Sequence, residues 1–427
     1  VLLYCLRKWT RRETEYKVTE VGELEITMFF RSSCFQFWPR FLVGIRVGLS
    51  GFRFVTFLTL SISCYYSHAE LKPEPIPNVA SLSTPYPEGY VIVQDLGFNS
   101  LIDTSFSLVD INDRRFKGMM SAGQFSTIDF STARQKFYVG ETVHSRGSRG
   151  ERLDVVAIYD FANLKLVGEV DLPPKRMNVV VNASSTAITA DDKFMLVFNM
   201  NPGTSVTVID LDDESIVSEI QTPGCFLVYP GLKSSFFMMC GNGGLISIKL
   251  DENGQEVGRW SSEVFNDIDN DPLSEKAAFI NGVWYLVTYS GEVQPIDSSK
   301  ERPVIQERWW LTTEAEREAN WRPAGWHGKS GHAAGLLWVA MTPNGYDGSH
   351  KDPATHVWVY DINQKQRTEH IELKVPALSI ASTAGKEPKL LVVNIEGSLD
   401  VYDGLNGTYL RSIYELGDTP FMAHAID

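Results

Sequence analysis

Val155-Val156-Ala157-Ile158-Tyr159-Asp160 is a β-branched and aromatic run closed by an aspartate, and the polar residues after it lead into a second such run, Leu166-Val167-Gly168-Glu169-Val170. A strand, an Asp that can hold a turn and a returning strand make a β-hairpin. The same pattern appears as Ser107-Leu108-Val109-Asp110, Val206-Thr207-Val208-Ile209-Asp210 and Leu245-Ile246-Ser247-Ile248-Lys249-Leu250-Asp251. It continues as Glu292-Val293-Gln294-Pro295-Ile296-Asp297, Val357-Trp358-Val359-Tyr360-Asp361 and Leu399-Asp400-Val401-Tyr402-Asp403. The closing aspartates stand 50, 50, 41, 46, 64 and 42 residues apart, so one unit of about 50 residues recurs seven times. Each unit carries a further strand upstream, such as Lys193-Phe194-Met195-Leu196-Val197-Phe198, and shows no 3.6-residue period. Short antiparallel strands in even repeats predict an all-β fold, a seven-bladed β-propeller with four-stranded blades over residues 90–427. A pair of β-sandwiches is the competing architecture.

The 64-residue interval holds an insertion, in which Thr313-Glu314-Ala315-Glu316 has the form of a capping box and predicts a short helix from Glu314 to Asn320. Trp321-Arg322-Pro323-Ala324-Gly325-Trp326 follows it. Insertions of this kind sit on a propeller rim, where they can bind a partner.

The first 69 residues read differently. Arg46 and Arg53, the apolar run Phe54 to Ser63 and the small-x-small triplet Ser67-His68-Ala69 have the layout of a secretory signal over about 46–69, with cleavage expected after Ala69. An uncleaved membrane anchor and a lipoprotein site at Cys64, where Ser63 replaces the usual Gly or Ala, are the alternatives. Residues 1–45 are read as translated upstream sequence, and residues 70–89 as a Pro-rich arm. Nine of the 39 basic and five of the 53 acidic residues precede Glu70, so residues 70–427 hold 30 basic and 48 acidic side chains, a net of −18. Such a surface repels nucleic acid. Cys5, Cys34 and Cys64 fall in the segment to be removed, leaving Cys225 and Cys240 as either an exported disulfide or two buried thiols.

Chemistry of its own is hard to find in this chain. Gly328-Lys329-Ser330 lacks the upstream glycine of a phosphate loop, no Gly-x-Ser-x-Gly turn occurs, and the eight histidines are too scattered to propose a metal site. The recurring aspartates read as turn formers. What stands out in an acidic chain is the loop Ser145-Arg146-Gly147-Ser148-Arg149-Gly150-Glu151-Arg152. Arg146, Arg149 and Arg152 could pair with carboxylates of a partner or form a solvated loop. The turn-rich stretch Pro343 to Pro353, which includes His350, could face a partner too.

At these segments the chain resembles the heavy subunit of the quinoprotein amine dehydrogenases, the methylamine and aromatic amine dehydrogenase family. The stretches that carry the resemblance are Thr142 to Arg146, Arg149 to Asp154, Cys240-Gly241-Asn242-Gly243-Gly244-Leu245, Leu311 to Arg317 and Trp321 to Trp326, within a span from about Tyr90 to about Gly417. Asp171-Leu172-Pro173-Pro174-Lys175-Arg176 and the Asn344 to Pro353 loop resemble the aromatic branch more closely.

The resemblance implies a periplasmic assembly of two heavy and two light subunits that oxidises a primary amine to aldehyde and ammonia and passes electrons to a blue-copper protein of azurin or amicyanin type. The cofactor implied is tryptophan tryptophylquinone, carried by a small disulfide-rich light subunit, where a carboxylate takes the substrate proton; this chain would then be noncatalytic. It further implies a Cys225–Cys240 disulfide, a light-subunit interface that includes Arg146, Arg149, Arg152, Trp326 and His350, and a substrate-channel gate at Phe98, for which packing is the other reading. The competing functions are a stand-alone exported binding propeller and a propeller enzyme using a free quinone.

Overall fold

The computed structural model describes residues 81–426. The upstream segment, the signal over about 46–69, the cleavage after Ala69 and the first part of the arm lie outside the described residues.

The first strand is Tyr90–Asp95, and from there the chain forms an all-β propeller of four-stranded antiparallel blades. A representative blade runs Gln124–Ser131, Lys136–His144, Arg152–Asp160 and Leu166–Leu172, each strand paired with the next. Six hydrogen-bonded sheets are present among the described residues, one of them eight-stranded. In that sheet the long strand Gln366–Ser382 pairs with Ala354–Asp361 through Gln366–Glu372 and with Lys389–Asn394 through Ala377–Ser382.

Strand composition follows position in the blade. Second strands such as Phe194–Asn199 and Ser235–Cys240 are buried along their whole length, because both of their faces pack on a neighbouring blade. In the second strand of the first blade, Tyr90–Asp95, Val91 and Val93 pack with Leu391, Val393 and Val401, whereas Ile92 packs with Phe106, Phe137 and Val139. The period of two thus feeds two separate inter-blade cores. Outer strands such as Glu256–Ser261 are largely exposed.

All seven signature aspartates lie where the third strand turns into the fourth. Asp110, Asp210, Asp251, Asp297, Asp361 and Asp403 each accept, through Oδ1, the backbone N–H two residues on, which is the turn-forming role expected of them. Asp160 is the exception: its hairpin closes through its own N–H on the Lys165 carbonyl (3.0 Å), and its Oδ1 has no partner. The insertion forms a helix over Glu314–Glu318 with both arms of the capping box present. It stops short of the expected Asn320 because Asn320 takes a left-handed conformation (φ 53°) and Trp321 N–H closes on the Glu316 carbonyl.

The ring closes through a strand from the other end of the chain. Pro420–Ala425 pairs antiparallel with Tyr90–Asp95, completing the first blade, and the register slips where Asp95 meets Pro420. Asp95, itself buried, fastens this join. Its Oδ1 accepts Gly97 N–H (2.8 Å), Thr419 N–H (3.0 Å) and Thr419 Oγ1–H (3.0 Å), and its Oδ2 accepts Asp418 N–H.

Candidate functional site

Because strands alternate in direction, the loops from second to third strands and the connections between blades all emerge at one end of the propeller, opposite the aspartate hairpins. Every candidate site residue named from the sequence lies at this end. Phe98 follows the strand Tyr90–Asp95, Arg146 and Arg149 lie between Lys136–His144 and Arg152–Asp160, Trp326 precedes Lys329–His332, and His350 lies between Leu336–Thr342 and Ala354–Asp361. Cys225 and Cys240 are bonded, and they face each other in register on adjacent strands.

The structure brings three of these residues together. Phe98 is 37% exposed, its N–H donates to Thr419 Oγ1 (2.8 Å), and its ring meets Phe421 edge-on with centroids 5.1 Å apart. Phe421 in turn lies 5.8 Å from the Trp326 ring, whose Nε1–H donates to the Val181 carbonyl (3.1 Å). Trp326 and His350 line one narrow cleft together with Lys276, Tyr289 and Lys329. There the His350 ring is stacked on Tyr289 at 3.8 Å, and Lys276 Nζ sits 4.2 Å over Trp326. The disulfide is on another blade and belongs to neither group.

The arginine loop splits in role. Arg146 and Arg149 are exposed at the tip of a hairpin, where Arg146 N–H is bonded to the Arg149 carbonyl (2.9 Å). Arg152 instead turns inward: Nε and an Nη group grip both oxygens of fully buried Asp154 at 2.8 Å, and that Nη group also reaches the Arg176 carbonyl (2.7 Å). Asp154 further accepts Thr142 Oγ1–H and Arg176 N–H, so the pair is satisfied and internal.

Beneath the cleft lies a titratable cluster that sequence reasoning missed. Lys276 and Lys329 are both buried; Lys276 Nζ is paired with Glu275 Oε1 (2.9 Å), and Lys329 Nζ donates to Ser274 Oγ (3.1 Å). Burial and the Lys276 charge bring Lys329 down to about 7. Burial pushes Glu275 up, but the charge and hydrogen bond of Lys276, its own backbone N–H and the Lys329 charge together hold the carboxyl below its ordinary value. His327, held down to about 3 by burial and then by Lys276, is neutral. The only sequence signal was Gly328-Lys329-Ser330, set aside because it is not a phosphate loop; Lys276 and Glu275 come from a different connection with no motif of their own.

None of these groups is placed as a nucleophile with its base, and the cluster is suited to holding charge. Large apolar side chains are also exposed at this end: beside Phe98 they include Ile102 (47%), Val264 (66%), Tyr346 (58%), Ile395 (50%) and Tyr414 (66%). A rim of apolar and guanidinium groups around an aromatic cleft is the make-up of a protein docking face.

Comparison with known proteins gives the chain a family. In fold, the chain is similar to the periplasmic gluconolactonase of Pseudomonas aeruginosa, with a TM-score of 0.53 at 14% identity over 78% of this chain and 98% of that one. In sequence, it is 27% identical over 329 residues to the methylamine dehydrogenase heavy chain of Methylobacillus flagellatus, covering 76% of this chain and 82% of the relative. The corresponding heavy chain of Paracoccus versutus is 27% identical over 345 residues, covering 79% and 80%. The family model described as methylamine dehydrogenase heavy chain matches residues 89–427, nearly the whole of the described propeller, and the chain belongs to that family.

Proposed function

We propose that this chain is the noncatalytic heavy subunit of a periplasmic amine dehydrogenase, a seven-bladed scaffold that docks a small light subunit on the end carrying Phe98, Arg146, Arg149, Trp326 and His350. The observation that carries the reading is the convergence of these residues, with the exposed apolar side chains, on one end of the propeller. Counting the eight-stranded sheet as two blades joined through Gln366–Ser382 supports the number seven, as does the placement of seven aspartate hairpins.

In this reading the light subunit's tryptophan tryptophylquinone supplies the electrophilic carbonyl at which a primary amine is oxidised, and electrons leave to a blue-copper protein. This chain's residues do not fit as holders of the quinone; they fit as walls around it. Phe98, backed edge-on by Phe421, presents a ring at the rim where it limits the size of the entering amine. Arg146 and Arg149, free of intrachain carboxylates among the described residues, steer and orient an acidic partner. The substrate proposed is an aromatic or aralkyl amine, on the likeness of Asp171 to Arg176 and of the Asn344 to Pro353 loop to the aromatic branch. The assembly proposed is two heavy and two light subunits.

Purification of the native protein from a periplasmic extract tests the reading. A small co-purifying subunit with a visible quinone band that bleaches on adding a primary amine is the expected result. A colourless single chain would overturn it in favour of a binding propeller.

A further inference from the structure

The strand that closes the ring carries an irregularity beside Phe98. Where Pro420–Ala425 pairs with Tyr90–Asp95, Met422 lies opposite Gln94 and Pro420 opposite Asp95, so Phe421 is an extra residue with no cross-strand partner. A β-bulge of this kind re-aims a side chain. Here the re-aimed ring, 6% exposed, packs against two others: Phe98 meets it edge-on at 5.1 Å, and Trp326 lies 5.8 Å away. Its setting is fixed on every count that the structure shows. Phe421 packs in one cluster with Leu96, Val181 and Met422, its carbonyl accepts Ser379 Oγ–H (2.7 Å), and Trp326 is itself tied to the Val181 carbonyl.

The same stretch also holds the backbone of Phe98. Thr419 Oγ1 accepts Phe98 N–H (2.8 Å) and donates to Asp95 Oδ1 (3.0 Å), and Asp418 Oδ2 accepts Asn99 Nδ2–H (2.7 Å). The turn between is tight, with Ser100 N–H and Leu101 N–H both on the Gly97 carbonyl. Phe421 is the one ring that Phe98 touches among the described residues. A partly exposed side chain that would otherwise choose among staggered rotamers is thus fastened at its backbone by Thr419 and at its ring by Phe421.

We propose that Phe421 and Thr419 are positioning residues for Phe98: the bulge sets the ring on which Phe98 leans, the Thr419 hydroxyl sets its backbone, and the join between the two ends of the propeller thereby fixes the size of amine admitted. The inference rests on the gate role of Phe98 in the function proposed above. Phe421 is buried, so its effect on an entering amine passes through Phe98.

Steady-state kinetics of the assembled enzyme with methylamine and benzylamine test it through a double-mutant cycle. Phe421→Leu is expected to shift the ratio of kcat/KM between the two amines by about threefold or more, in the direction of Phe98→Ala. In a Phe98→Ala background the same substitution should move the ratio by less than about 1.5-fold, because no ring is left to position. Thr419→Val, which keeps the shape but loses the hydroxyl, should shift the ratio the same way, and Thr419→Ser should restore it. A merely loosened fold lowers both rates alike and does not move their ratio. An undiminished effect of Phe421→Leu in the Phe98→Ala background, or an unchanged ratio in both Phe421→Leu and Thr419→Val, overturns the proposal. Fluorine NMR of the full chain without any light subunit, with 4-fluorophenylalanine in place of Phe98, reads the ring itself. Its resonance, displaced by the Phe421 ring, should move towards that of the free amino acid in Phe421→Leu; identical resonances in the two chains overturn the proposal. Absence of amine oxidation by the unmodified assembly would overturn the functional reading, and any role in selectivity with it, while the fluorine result still decides where the ring is held.

Discussion

Asp95 is the residue on which closure of the ring depends most directly, and its removal has a computable cost. Three backbone N–H groups and one hydroxyl converge on its carboxylate, three of the four from Asp418 and Thr419, at the foot of the closing strand. A buried donor left unpaired costs about 1–3 kcal/mol. Asp418 is exposed and Gly97 and Thr419 are half-buried, so water replaces much of what is lost and the low end of that range applies. Asp95→Ala is expected to weaken the join by about 3 kcal/mol. Asp95→Asn keeps the oxygen that accepts three of the four bonds, so it loses about 1–2 kcal/mol. Amide hydrogen exchange is the assay, because it reads the strand itself. Protection of Phe421 to Ala425 should fall about 100-fold in Asp95→Ala, with strands on the far blades little changed. Unaltered protection of that strand would refute the latch. Gly417→Ala should mimic the loss, since the glycine has φ +149° and a Cβ there would fall 2.0 Å from Asp95 Oδ2.

Truncating Phe98 to Ala should change the ratio of kcat/KM between a small and an aromatic amine by about 10-fold or more, read by steady-state kinetics of the assembled enzyme; an unchanged ratio removes Phe98 as a gate. Arg149→Glu should slow association with an acidic light subunit and flatten its salt dependence while leaving thermal unfolding of the chain unaltered, whereas Arg152→Met should destabilise folding by about 3–5 kcal/mol by stranding buried Asp154. Stability should also fall with acid. Buried His327 and His424, held down to about 3 and about 4, stay neutral in the folded chain and take up protons only on unfolding below about 6.5; their contribution is complete above that pH and is lost as pH falls. Asp129, raised by burial to about 6, keeps a proton that the unfolded chain has released and so works the other way over the same range. The net is about one extra proton on the unfolded chain, or about 1.4 kcal/mol lost per pH unit between roughly pH 6 and 4, measurable by urea titration and flattened by His424→Gln.

What was legible in the sequence was local. The aspartate hairpins could be seen because strand, turn and return lie within about a dozen residues, and each hairpin forms its own bonds. The helix start was legible for the same reason: Thr313 and Glu316 bond each other's backbone. Its end was not, since Asn320 reads as an ordinary helix residue until its left-handed backbone is known. Ring closure was hidden altogether. The partners Val91 and Ala425 lie at opposite ends of the described chain, and Pro420-Phe421-Met422-Ala423 reads as no more than another short apolar run. The site divides along the same line. Arg146, Arg149 and Arg152 stood out as a run, but only the fold shows that Arg152 faces Asp154 and not solvent.

The lysine pair follows from the same physics. A propeller gathers the heads of its inner strands around one axis, so residues far apart in the chain become neighbours with no trace in spacing or motif. Lys276 and Lys329 are 53 residues apart and each, alone, reads as an ordinary surface lysine. Brought together under Trp326 with the Glu275 carboxylate, they form a buried charge cluster in a chain whose residues 70–427 carry a net charge of −18. The overall charge would hold an acidic partner off, and the end where docking is proposed also exposes carboxylates such as Asp103, Glu263, Asp267 and Asp418; exposed Arg146 and Arg149 make a local positive spot at the tip of one hairpin. Long-range repulsion and local attraction together leave few productive orientations for an acidic partner, so specificity at this face comes from where the local charge is positive and not from its total.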